Sequence, residues 1–203
     1  MPVQAPTRPR FVPPSPPSTP KAAATRQRLI LVAGELFIER GYASVSLTNI
    51  AERAGLSKGA IYGHFRSKGQ MLVEVIKWKL ARREHDPDFQ QALASPSDAT
   101  AIMVDPSMQE IRLLEVDAAA AARHDHDVAS GMAELYEERD VAIRAAVEGA
   151  ERPDVLAFVV AALSHGVGAT EAIGLPVPAP APWSEVVSKM IASAYPPAGS
   201  DHG

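Results

Sequence analysis

The stretch SLTNIAERAGLSKGAIYGHFRSKGQML, residues 46–72, leaves this chain little choice of local architecture. Its apolar residues, Leu47, Ile50, Ala51, Ala54, Leu56, Ile61 and Phe65, recur at helical rather than strand spacing. Ala51 and, four residues on, Gly55 suit a close helix crossing followed by a left-handed turn. The pattern is met by two short helices joined at Gly55 and leading into a third. The second opens with Ser57, Lys58 and Gly59 and carries Tyr62 and His64. A unit of this kind sets its second helix into the major groove of DNA.

Net charge alone opposes that reading and its distribution restores it. The 203 residues sum to −4, yet residues 1–83 carry 14 Lys/Arg against four Asp/Glu, whereas 84–203 carry 6 against 20. The two parts are therefore +10 and −14, the footprint of a small DNA-binding region on an acidic body. A plain solvated basic face would explain the charge but not its coincidence with the helix-turn-helix. Absence of cysteine excludes disulfides, thiol catalysis and thiolate metal sites, and fits a reducing, cytoplasmic location. The proline-rich opening lacks the apolar core of a signal peptide. The longest purely apolar run, Val155 to Leu163, is about half of the ~20 residues a membrane span needs.

The spacing predicts an all-α chain with a three-helix, helix-turn-helix N-terminal domain on a larger helical body. Residues 1–21, rich in proline, read as a disordered tail whose Arg8 and Arg10 could reach DNA phosphates or simply solubilise the chain. The DNA-binding domain is placed at 22–70, the helical ligand-binding and dimerisation domain at 71–195, and a disordered tail at 196–203. A first helix over 22–40 presents Leu29, Ile30, Ala33, Leu36 and Phe37 on one face and ends at Gly41. Ser46 or Thr48, then Ser57 and Ser67, are the candidate N-caps of the next three helices, the last over 67–84. Pro87, Pro96 and Pro106 break the middle into short pieces. Longer helices follow over 107–123, 126–149 and 154–173, then a proline-rich loop at 176–182 and a final helix over 183–194. The 154–173 helix is apolar around most of its circumference and should be buried on more than one side.

Within the helix-turn-helix, a long cation at Lys58 can reach a phosphate or a guanine edge. Ser57 opens the same helix, and Gly59 and Ala60 allow close approach to base edges. Tyr62 and His64 suit phosphate or thymine-methyl contact, although Tyr62 could equally be a half-buried core aromatic and His64 an ordinary surface residue. Ser46 and Thr48 can donate to phosphate at the groove edge, and Lys68 suits the same role at the start of the next helix.

From Thr25 to Leu72 the segment resembles the DNA-binding domain of the TetR family of transcriptional regulators. The shared spacing runs through Phe37, Gly41, Ile50, Ala51, Ala54, Gly55, Ser57, Gly59, Tyr62, His64, Phe65, Ser67, Lys68 and Leu72. The resemblance covers about a quarter of the chain. It implies DNA contacts at Thr48, Lys58, Gly59, Tyr62, His64 and Lys68. Two residues depart from the pattern: Gly69, where an acid is usual, and Gly63, where a larger residue is common.

For the acidic body the resemblance implies a small-molecule effector pocket and a homodimer built by the last two long helices. Met132, Tyr136, Phe158 and His165 are the candidate effector-binding residues. The 154–173 helix and the Val186/Val187/Met190/Ile191 face are the candidate dimer surfaces, with Gly166 and Gly168 permitting close helix approach or marking a kink. His124, Asp125, His126 and Asp127 resemble metal ligands, but neighbours on a helix do not converge, and a capped interhelix turn fits them better. No catalytic, cofactor or metal signature is present. The expectation is a ligand-responsive regulator, a repressor that binds a palindromic double-stranded operator as a homodimer and is released by a small molecule. An activator is not separable from a repressor in sequence. The competing reading is a small-molecule-binding or processing helical protein with a vestigial helix-turn-helix.

Overall fold

The computed structural model describes residues 11–93 and 96–195; residues 1–10 of the expected 1–21 tail and the expected tail at 196–203 lie outside the described residues. Among the described residues every regular element is helical. The chain runs α1 (Pro20–Arg40), α2 (Leu47–Arg53), α3 (Lys58–Tyr62), α4 (Lys68–Glu84), α5 (Pro87–Leu93) and α6 (Pro96–Ala101). Two 3₁₀ turns, Ile102–Val104 and Pro106–Met108, lead to α7 (Gln109–Ala121), α8 (His126–Ala146), α9 (Pro153–Ala172) and α10 (Pro180–Ala192).

Two compact units result, and neither is continuous in sequence. The first holds the chain through Trp78 together with Asp117–Leu135; the second holds Lys79–Val116 and the chain from Tyr136 onward. This differs from a division at residue 70. The end of α7 and the start of α8 belong with the helices of the helix-turn-helix, for reasons given by their side chains below.

In the first unit α1 buries Leu29, Ile30, Ala33, Leu36 and Phe37, the face its periodicity marks. Thr19 accepts the Ala22 N–H and Pro20 occupies the first helical position, so α1 begins two residues before the expected start. Gly41, at φ 75°, ends it in a conformation that penalises a Cβ. Ile50, Ala51, Ala54, Ile61 and Phe65 of the helix-turn-helix are buried with Met71, Leu72, Val75 and Ile76 of α4. The expected tail departs from expectation at its inner end: Phe11 is 3% exposed. An aromatic ring outweighs the proline-rich composition around it once it has an apolar seat.

In the second unit Phe89, Met108 and Ile111 form one core cluster with Leu80 and Ile102 packed against it. Val147, Ala150, Leu156 and Ala157 form another, with Ile143, Val160, Ile191 and Tyr195 around it. The prolines begin helices here: Pro87, Pro96, Pro153 and Pro180 each open one, and Pro106 opens a 3₁₀ turn. A first-turn N–H has no intrahelical partner, so its loss costs nothing there. For the same reason α10 starts inside the stretch expected to be a loop.

Helix α9 is less buried than expected. Leu156, Ala157, Val167 and Gly168 face inward, but Val155, Phe158, Val159 and Ile173 are exposed, as are Val186 and Met190 of α10. By length and composition α9 could cross a membrane, although a soluble core helix passes the same test.

Candidate nucleic-acid interface

The recognition helix is short and its geometry is set by side-chain caps. Ser46 accepts the Asn49 N–H at 3.1 Å while Asn49 accepts the Ser46 N–H at 3.0 Å, a reciprocal box that starts α2. Ser46, not Thr48, is thus the cap. Gly55 makes the turn at φ 64°, and Ser57 accepts the Ala60 N–H at 3.2 Å to start α3. Ile61 is the inward residue of α3.

Opposite Ile61 the helix presents Ser57, Lys58, Gly59, Tyr62 and Gly63, all exposed. Tyr62, 54% exposed, is a large aromatic held out to solvent rather than folded into the core. It is therefore not a core aromatic. Ser46 is also exposed, whereas Thr48 and His64 are half-buried. Gly63 has a right-handed helical backbone that any residue adopts, so its small size is not a backbone requirement.

Lys68 stands apart from the other expected contacts. Its Nζ donates to the Tyr42 carbonyl at 2.8 Å and lies 4.1 Å from the centroid of the Tyr42 ring. Partial burial lowers its pKa, opposed by Asp125 and Asp117. The ammonium is engaged within the protein, where the sequence placed it on a phosphate. The Tyr42 N–H donates to Asp117 Oδ2 at 2.7 Å and its hydroxyl donates to Asp125 Oδ2 at 3.0 Å. Burial and then the Asp125 charge push that hydroxyl's pKa well above its ordinary value.

The residues that fasten this surface to α7 and α8 were not legible as site residues. Asp125 accepts the N–H groups of Asp127 and Val128 and so caps α8. Asp127 accepts from Ser67 Oγ at 2.6 Å and from the Arg66 guanidinium at 2.5 Å. Burial alone would raise the Asp127 pKa, but the Ser67 and Arg66 hydrogen bonds and the Arg66 charge hold it below the ordinary carboxylate value. The His124–Asp127 run is therefore a capped, docked turn. Among the described residues no group of three or more His, Cys, Asp or Glu could hold a metal.

Gly69 was the available signal. A Cβ built there would lie 2.5 Å from both Asp125 carboxylate oxygens. The missing side chain at the family's usual acidic position makes room for an acid supplied from the α7–α8 turn.

The four expected effector residues are divided between the two units. Tyr136 and His165 meet edge to face at 4.9 Å. Phe158 is 72% exposed, because α9 turns its Leu156/Ala157/Val167 side inward. Met132 is buried in the first unit. Arg139, over the Tyr136 ring, pairs with Glu115 at 2.5 Å, and the second unit also holds a buried Arg112–Glu171 pair. Gly168 brings α9 against α7, where an added Cβ would lie 3.1 Å from the Arg112 carbonyl oxygen. Gly166 has nothing within 4 Å of such a Cβ.

A capped, solvent-facing short helix behind a left-handed glycine turn, with its inner face locked to two other helices, defines the helix-turn-helix class of DNA-binding domain. In that domain the chain matches the TetR family: residues 29–75 fit the family model "Bacterial regulatory proteins, tetR family". It is 37% identical over 86 residues to the HTH-type transcriptional regulator SrpR of Pseudomonas putida, a match covering 41% of this chain and 38% of that protein. It is 43% identical over 61 residues to the HTH-type transcriptional regulator AcrR of Shigella flexneri, covering 30% of this chain and 27% of that one. The chain thus spans less than half the length of either relative in these matches. Its fold resembles the crystal structure of a TetR-family transcriptional regulator from a Rhodococcus species. The TM-score is 0.68 and the identity 16%, over 86% of this chain and all of the other.

Proposed function

We propose that the protein is a DNA-binding transcriptional regulator, a repressor that holds a palindromic operator as a homodimer and is released by a small-molecule effector. The observation that carries this reading is the outward face of α3. Ser57, Lys58, Gly59 and Tyr62 are exposed on a helix whose other side is fully seated. A vestigial helix-turn-helix would have no reason to keep a large aromatic and a cation exposed side by side.

Ser46, Thr48 and His64 complete the contact set, while Lys68 holds Tyr42 and supports the face from within. Homodimerisation is supported by the apolar surface left on α9, its C-cap and α10: Val155, Phe158 and Val159, then Ile173, with Val186 and Met190. Two-fold dimers place two recognition helices about one DNA turn apart, which matches a palindromic site. An effector acts by binding more tightly to the arrangement that does not fit DNA. Tyr136 and His165 are the residues of the effector reading that remain together.

The test is footprinting on the DNA upstream of the chain's own gene, with affinity measured against salt. A protected palindrome, with log affinity falling linearly with log salt, is the expected outcome. Uniform binding to any duplex, with no protected site, refutes the regulator reading.

A further inference from the structure

The segment just before α1 sits on α4 and α8, the helices behind the α3–α4 turn. Phe11 is 3% exposed. Its N–H donates to Glu134 Oε1 at 3.0 Å, and the Lys77 ammonium lies 5.0 Å from its ring centroid. Gly131 of α8 leaves the space: a Cβ there would lie 2.8 Å from both γ-methyls of Val73 and 3.0 Å from Phe11 Cδ2. A ring from the N-terminal segment, a charged acceptor and a missing side chain from α8, and the Val73 methyls of α4 meet at one seat.

The next residue reaches the DNA-binding turn. The Val12 carbonyl accepts from Gln70 Nε2 at 2.7 Å. Gln70 is 1% exposed, and its Oε1 accepts the Arg66 N–H at 3.0 Å while its own N–H donates to Ser67 Oγ at 2.9 Å. Arg66 and Ser67 form the turn between α3 and α4. Hence one buried amide links the N-terminal segment to the backbone that fixes where α3 ends.

We infer that Phe11 and Val12 are positioning residues for DNA recognition, acting through Gln70 on the α3–α4 turn. This rests on the DNA-binding reading above. A buried amide with both ends satisfied has a single orientation, and removing one partner leaves the other group unpaired. Without Phe11 in its seat, Val12 no longer holds Gln70, and the Arg66 N–H loses a fixed acceptor. Recognition depends on base-edge geometry, whereas non-specific phosphate attraction tolerates such a shift.

The experiment measures operator and random-duplex affinity at one salt concentration for the full chain, Phe11→Ala, Phe11→Leu, Gln70→Met and a truncation lacking residues 1–10. Phe11→Ala and Gln70→Met should each lower the operator-to-random affinity ratio by about five- to tenfold, from the loss of one buried hydrogen bond. Their combination should lower it no further than either alone, because both break one linkage. Phe11→Leu should recover most of the ratio, and the truncation, which keeps Phe11, should leave it unchanged. An unchanged ratio in folded Gln70→Met overturns the inference, as does a truncation that reproduces the loss. If Phe11→Ala does not fold, Gln70→Met decides alone. Failure of the intact chain to protect any site refutes the DNA-binding reading instead.

Discussion

Replacing Glu171 by Ala tests how the second unit is held together. Arg112 and Glu171 are 3% and 5% exposed at their side chains. The guanidinium makes two bonds to the carboxylate, Nε–Oε2 at 2.7 Å and Nη2–Oε1 at 2.6 Å. A third, from Nη1 to the Asp105 carbonyl, is 3.0 Å long. Truncation leaves a buried cation with one neutral acceptor, and breaking such a pair costs about 3–5 kcal/mol. At 2–4 °C per kcal/mol for a chain of this size, the melting temperature falls by roughly 6–20 °C. Urea denaturation followed by circular dichroism measures the free energy directly. The paired replacement Arg112→Met with Glu171→Leu removes both charges and should restore most of the loss, since a buried ion pair often adds little over apolar groups of similar volume. A loss below about 1 kcal/mol for Glu171→Ala, the range of an exposed pair, would refute the reasoning, because the arginine would then be reaching water.

Four further outcomes follow from the first unit and from α9. Lys58→Ala should weaken operator binding and flatten the salt dependence by about one unit, read from a salt titration. Gly69→Ala should drive Asp125 off the start of α8, lowering stability by about 1–3 kcal/mol in chemical denaturation, the usual cost of overpacking. Asp127 has a lowered pKa in the fold, so its contribution is full above the ordinary value of 3.8 and is lost as pH falls through the lower folded value. Asp127→Asn should remove that part of the acid-side decline in a pH-resolved melting series. Phe158→Asp should convert dimer to monomer in sedimentation, because it places charge on the exposed apolar face of α9.

The elements most easily anticipated were those whose signal is local. Ser57 and Gly41 act through bonds within one turn, so their residue types announce the caps, and the same logic narrows the start of α2 to Ser46 or Thr48. The apolar stripe of α1 is equally local. Phe11 was hidden because its seat is assembled from Val73 and Gly131, far away in sequence. Asp125 and Asp127 were recognisable as helix-capping acids, but their hold on Tyr42, Ser67 and Arg66 depends on tertiary placement. The prolines misled in the opposite sense: at an interior position they break helices, and here they occupy first turns. Helix α9 showed its apolar circumference plainly, but one chain supplies a partner for only one of its sides.

The complementarity between Gly69 and Asp125 bears on how such proteins can be recombined. A chimera cut just after the helix-turn-helix would export a glycine whose space is filled from a turn more than fifty residues downstream. Grafted onto a foreign body, it would meet a void or a mismatched side chain there. The transferable cassette in this chain is discontinuous: residues through Trp78 travel intact only with Asp117–Leu135.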